Sequence, residues 1–144
     1  MIPKLYWVNR QKRHPIGGRT VLRFLREKLP DIISYTTGNQ GTLRHLEEVC
    51  FVCVGPRTMQ QLHFQFLRDP SLTDVITFDH GEVVVCAEVA FQQAQTRGLS
   101  LDWEICLYCL HGLLHLQGFD DLTPSGAKQM RVLQKRLMRD FPTV

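Results

Sequence analysis

The chain has 144 residues, 44% hydrophobic and 22% charged, with a formal net charge of +3. That length fills one sizeable core and is too short for two ordinary ones, so a single domain over residues 1–144 is expected. No segment approaches the ~20 apolar residues of a membrane span, and in "MIPKLYWVNRQKR" the basic residues follow the apolar run, the reverse of a signal peptide's order, so a cytoplasmic protein with no membrane partner is expected.

Along the chain, a first strand is predicted at Leu5 to Asn9, followed by a helix from about Ile16 to Leu29. There Val21, Leu22, Leu25 and Leu29 recur at helical spacing, and Pro30 is expected to close the helix. The stretch "PDIISYTTGNQG" reads as irregular. Val49 to Val54 is an unbroken apolar run ended by "GP", the pattern of a strand buried on both faces. Pro56 then opens a helix to about Leu67, with Met59, Leu62 and Phe66 expected on its inner face. "DVITF" (Asp74 to Phe78) and "EVVVCAE" (Glu82 to Glu88) read as neighbouring strands joined at "DHG". Three helices follow: Val89 to Arg97 ended by Gly98, Asp102 to Gln117 ended by Gly118, and Thr123 to Arg139. The expected class is α+β, αβα-like: one mixed sheet of about four strands covered by about five helices.

Charge is distributed unevenly. Residues 1–28 hold eight basic side chains (Lys4, Arg10, Lys12, Arg13, Arg19, Arg23, Arg26 and Lys28) against one acid, Glu27, so this stretch carries +7 and the remainder −4. Such a cluster suits a polyanion such as RNA, and a solvated helix face accounts for it equally well. Five cysteines in no framework spacing fit reduced thiols; the pairs Cys50/Cys53 and Cys106/Cys109 read as buried thiols in apolar elements, not as metal sites.

The chemistry concentrates in "HGLLHLQGFDD", His111 to Asp121. The helix before Gly118 is apolar almost all round, yet Glu104, Tyr108, His111 and His115 recur at intervals of four, three and four, which places them on one stripe. Histidines four apart on a helix can reach one tetrahedral ion. Gly118, free to adopt the left-handed conformation, ends the helix so that the chain turns back toward that face. Counted from His111, His115, Gly118 and Asp121 stand at +4, +7 and +10, the metzincin spacing of a three-ligand site with one open position. Two departures matter. The position of the peptidase general base is Gly112, and the third ligand position is Asp121, with Asp120 a competing candidate.

These residues resemble the YbeY family. "HGLLHLQGFDD" is similar to its H-G-x-L-H-L-x-G-[YF]-D-H signature. Leu62 to Asp79 resembles the family segment around T-D-V, Gly81 to Cys86 its G-D-[IV]-x-[IL]-C strand, and "AKQMRVLQKRLM" its last helix. Together the matches span roughly residues 47–140 in order. The resemblance implies a zinc-dependent, single-strand-specific endoribonuclease of rRNA maturation and ribosome quality control, with His111, His115 and Asp121 holding one Zn2+ or another divalent metal. Its implied partners are single-stranded RNA, rRNA precursor and the ribosome or its proteins. His63 stands where the family usually has asparagine. A family arginine maps to Leu67, with Arg68 next to it as the expected substitute in the catalytic set.

No general base is encoded beside the ligands, so metal-activated water or the RNA 2′-hydroxyl is the expected nucleophile. Lys128, Arg131, Lys135 and Arg139 form a basic stripe on the last helix, opposite Met130, Leu133, Leu137 and Phe141; it is an RNA contact surface or an ordinary solvated face. Two other functions stay open: an RNA- or ribosome-binding protein with an impaired metal site, and a metallopeptidase-like hydrolase.

Overall fold

The computed structural model describes residues 2–142. Its elements run β1 (Lys4–Asn9), α1 (Gly18–Ser34), a 3-10 turn (Leu43–His45), β2 (Glu48–Val54), α2 (Pro56–Leu67), β3 (Val75–Phe78), β4 (Glu82–Cys86), α3 (Ala87–Arg97), α4 (Leu101–Gln117) and α5 (Pro124–Met138). The strands form one sheet in the order β1-β2-β4-β3, in which β1, β2 and β4 are parallel and β3 runs antiparallel to β4. The expected α+β class and its mixed sheet are what the chain forms.

Alternation along β2 divides the core. Val49, Phe51 and Cys53 face the larger cluster beneath α1, α3, α4 and α5, whereas Val52 and Val54 face a smaller one with Met59 and Leu62 of α2. Helix α4 is the central pillar: Ile105, Cys106, Cys109, Leu110, Leu113 and Leu114 are fully buried. Ser100 caps its start, the side chain accepting from Trp103 N at 3.1 Å, and Gly118 at φ +115° ends it. The five cysteines are free thiols. Burial pushes Cys53 up to about 12, so it is held as an unreactive thiol.

Three expectations are corrected. Pro30 does not close α1, which continues to Ser34. The ring is exposed at the helix surface, where only the Arg26 carbonyl loses its donor, and the next turn buries Ile32 completely. Phe66 is not on the buried face of α2: it is 53% exposed, and His63 is buried there instead. Strand β3 is only four residues long and lies at the sheet edge, so the last turn of α2 overhangs it and Phe66 meets Phe78 edge-on at 4.9 Å. Finally, the second strand of the hairpin stops at Cys86, and α3 starts at Ala87.

Segment 35–42, read as irregular, is packed on the end of α4. Gln117 Nε2 donates to the carbonyls of Ile33 and Tyr35, and Thr42 N donates to Leu116 O at 2.8 Å. At Gly41 a Cβ would lie 2.2 Å from the backbone of α4, so only glycine permits this approach.

Candidate metal centre and RNA cleft

The last turn of α4 points His111 and His115 to one side, and the turn at Gly118 brings Asp121 back to meet them. Their ligand atoms all lie within 4.8 Å of one another, the one such trio of metal-binding side chains among the described residues. His115 Nε2 is 2.9 Å from His111 Nε2, and Asp121 Oδ2 is 3.9 Å from the same nitrogen. Ligands about 2.0–2.1 Å from a tetrahedral ion are about 3.3 Å from each other, so these separations bracket what zinc requires. The donor set fits the group: two imidazoles and a carboxylate, half-buried or exposed, with no cysteine among them.

The imidazoles are prepared as ligands. Burial, and then the neighbouring His111, hold His115 below the usual histidine range, favouring the neutral form that binds metal. His111 Nδ1–H donates to Gln134 Oε1 of α5 at 2.9 Å, which fixes the ring and leaves Nε2 as the ligand atom. Gln134 escaped the sequence reading because it lies 23 residues from its partner, with no motif linking the two.

The two aspartates are separated by their contacts. Asp120 Oδ1 accepts from Leu122 N at 3.1 Å and its Oδ2 from Asn39 Nδ2 at 3.2 Å, which commits the side chain to its loop. Asp121 turns its carboxylate to the imidazoles. Thr123, not an aspartate, caps α5, accepting from Gly126 N.

Position 112 has no room for a side chain. A Cβ there would stand 2.6 and 2.9 Å from the two methyls of Val83 and 3.1 Å from Thr77 Oγ1. Glycine therefore lets α4 lie directly on the sheet, and the carboxylate of a zinc peptidase has no place at this position.

His111 and His115 open onto a cleft of about 690 Å³. One wall is the hairpin strand β3, another the end of α2, and a third segment 39–40 with Gly118 to Asp120. Phe66 and Phe78 line it, and the His80 ring stacks on Phe78 at 5.5 Å. Thr77 belongs to the same wall, but its Oγ1 is buried beneath it, toward Gly112 of α4, without a hydrogen-bond partner among the described residues. His63 supports the rim from beneath: its Nδ1–H donates to Ser71 O at 2.9 Å.

Arg68 stands apart from the trio. It caps α2 in the left-handed conformation (φ 57°), and its guanidinium lies 5.9 Å from the Phe64 ring, while the neighbouring Leu67 is the residue that lines the cleft. The basic residues at 4–28 do not line the cleft either. Arg26 donates to the Leu5 carbonyl and Lys28 pairs with Asp140 at 2.6 Å.

Comparison with known proteins places the chain in a family. The family model described as Endoribonuclease YbeY matches residues 7–142. The protein named Endoribonuclease YbeY from Clavibacter michiganensis subsp. michiganensis is 36% identical over 111 residues, spanning 65% of this chain and 72% of that one. Its namesake from Thermobifida fusca is 34% identical over 110 residues, 65% and 71% of the two chains. The solution structure of TM1509 from Thermotoga maritima matches in fold, with a TM-score of 0.58 over 93% of this chain and 86% of that one at 23% identity. The chain belongs to the YbeY endoribonuclease family.

Proposed function

We propose that this chain is a zinc-dependent endoribonuclease that cuts single-stranded RNA in the cleft beside β3 and acts in rRNA maturation on the ribosome. Endoribonuclease activity follows from the family. The observation that carries metal dependence is the convergence of His111, His115 and Asp121, the two histidines of which line the cleft. When bound there, a divalent cation supplies Lewis acidity for phosphodiester hydrolysis. The chain's own residues do the rest. Gln134 holds the His111 proton on Nδ1, and Phe66 and Phe78 offer surfaces on which unpaired bases stack. Stacked, splayed bases are a property of single strands, which is the reason for the substrate preference.

Arg68 serves at the rim in this reading. It is exposed and one residue from the cleft wall, so it contacts the RNA backbone and not the reacting phosphate. The peptidase alternative has no support, because Gly112 leaves no space for its base. The described residues work as one domain, and five free thiols suit the reducing cytoplasm. None of the described helices is long and apolar enough to cross a membrane.

The test is cleavage of matched single-stranded and duplex RNAs with and without a chelator, with analysis of the product ends. Single-strand cleavage that stops on chelation and returns with zinc is expected. Cleavage undiminished by chelation, or equal on duplex RNA, contradicts the proposal. A 2′,3′-cyclic phosphate with a 5′-hydroxyl would identify the 2′-hydroxyl as nucleophile, and a 5′-phosphate with a 3′-hydroxyl would identify water.

A further inference from the structure

The cleft is not the only cavity at the metal ligands. Behind His111 and Asp121 lies a second space of about 250 Å³, whose walls include Arg97 and Arg131. Beyond it, a trough of about 340 Å³ runs between α4 and α5. The cleft and the second space share Val75 and His111; the second space and the trough share Arg97, Leu107, Arg131 and Gln134. The three spaces are therefore neighbours, following one another from the aromatic cleft, past His111 and Asp121, to the C-terminal end of α5.

The trough differs from the cleft in charge. Its charged lining residues are Arg97, Arg131, Lys135 and Arg139, with no acid among them, and Trp103 forms an aromatic wall. Arg97 is held in place by Glu104, whose fully buried carboxylate lies 3.3 Å from Arg97 Nε. Arg131, Lys135 and Arg139 recur every four residues, so they rise about 6 Å at each step along α5, a spacing comparable to that of successive phosphates in a stretched single strand. Of the four-residue stripe visible in the sequence, Lys128 lies outside this trough.

We propose that the α4–α5 trough is a second RNA subsite, which holds the strand several nucleotides to one side of the bond cut at the metal. Its phosphates lie along Arg131, Lys135 and Arg139, and one base stacks on Trp103. This rests on the reading of the cleft as the site of RNA cleavage and extends it by giving the strand a path. Gln134 joins the two regions, since it lines the trough and also holds His111.

The test is binding, measured without cleavage, by fluorescence anisotropy with 2′-O-methyl phosphorothioate probes of about 4 and about 12 nucleotides, within the range of single-strand site sizes. The double variant Lys135→Glu/Arg139→Glu is expected to bind the longer probe about tenfold or more weakly, with a salt dependence shallower by about two counterions, and to bind the short probe unchanged. The control Arg19→Glu/Arg23→Glu, on exposed positions of α1, is expected to leave the longer probe's affinity within about twofold. Unchanged binding by the trough variant, equal losses in trough variant and control, or no binding of the longer probe by the wild-type chain overturns the proposal. Competition by polyglutamate as strong as that by RNA also overturns it and assigns the trough to an acidic protein segment. The nuclease reading is judged separately, on unmodified RNA. If the wild-type chain binds as expected and cleaves nothing, that reading fails while the trough stands as an RNA-binding surface.

Discussion

Gln134 Oε1 lies 2.9 Å from His111 Nδ1, so a residue of the last helix sets the proton position on a candidate metal ligand of the central one. The contact fixes both the tautomer and the ring plane, leaving Nε2 directed at His115 and Asp121. A ligand held in this way loses less freedom when it binds metal.

Replacing Gln134 by alanine is expected to weaken metal binding about 10- to 100-fold while the fold is retained. Competition against a chromophoric chelator measures the affinity, and circular dichroism monitors the fold. Gln134→Glu, which keeps an acceptor oxygen, should restore most of the affinity. Equal affinity in Gln134→Ala and the wild-type chain would show that the contact does not orient His111.

Gly112 yields a stability prediction. An alanine methyl must displace Val83, and overpacking of this kind costs about 1–3 kcal/mol. Thermal unfolding should therefore fall by several degrees, on the scale of ~2–4 °C per kcal/mol for chains of this size. Gly112→Glu should be worse, giving little folded protein and no peptidase activity. A Gly112→Ala variant as stable as the wild-type chain would contradict the close seating of α4 on the sheet.

His115 sets the pH dependence of the centre. Its folded-state pKa is lowered from the usual 6.5, so the neutral form is favoured, and the stability linked to it is present above 6.5 and lost as pH falls through the lowered value. Metal affinity should follow the same course. It should be nearly flat above neutrality and fall steeply as the imidazole takes a proton on the acid side of 6.5, which titrations of zinc affinity against pH would record. Zinc affinity that does not fall at all on acidification would exclude His115 as a ligand.

Glu104 makes the opposite contribution. Burial raises its carboxyl above the usual range, with Arg97 opposing the shift. The folded chain therefore holds that proton more tightly than the unfolded one, and stability declines as pH rises from the ordinary 4.5 through the raised value. In Glu104→Gln the decline should vanish from melting curves taken across that interval. Persistence of the same decline would place its origin elsewhere.

The sequence was most legible where periodicity governs. The stripe of His111 and His115 with the stop at Gly118 follows from helical spacing and one glycine, so it announced the centre directly. Pro30 misled because proline is hostile to a helix interior only where its missing bond and ring cannot be accommodated; exposed, with Ile32 buried beyond it, the helix runs on. Phe66 misled because the period of α2 says which face it occupies, and not that the sheet beneath that face ends at β3. The Gln134–His111 contact and the seating of Gly41 on α4 were invisible for a common reason: each joins segments distant in sequence, the first through the packing of α5 on α4 and the second through that of segment 35–42 on the end of α4.

Metal content tests the central claim most directly: mass spectrometry of the purified chain beside His115→Ala, Asp121→Ala and Asp120→Ala. About one zinc per chain is expected in the wild-type protein, lost in the first two variants and kept in the third, whose aspartate is committed to its loop. Wild-type protein without metal after zinc is supplied, or full zinc in Asp121→Ala, would contradict the three-ligand centre.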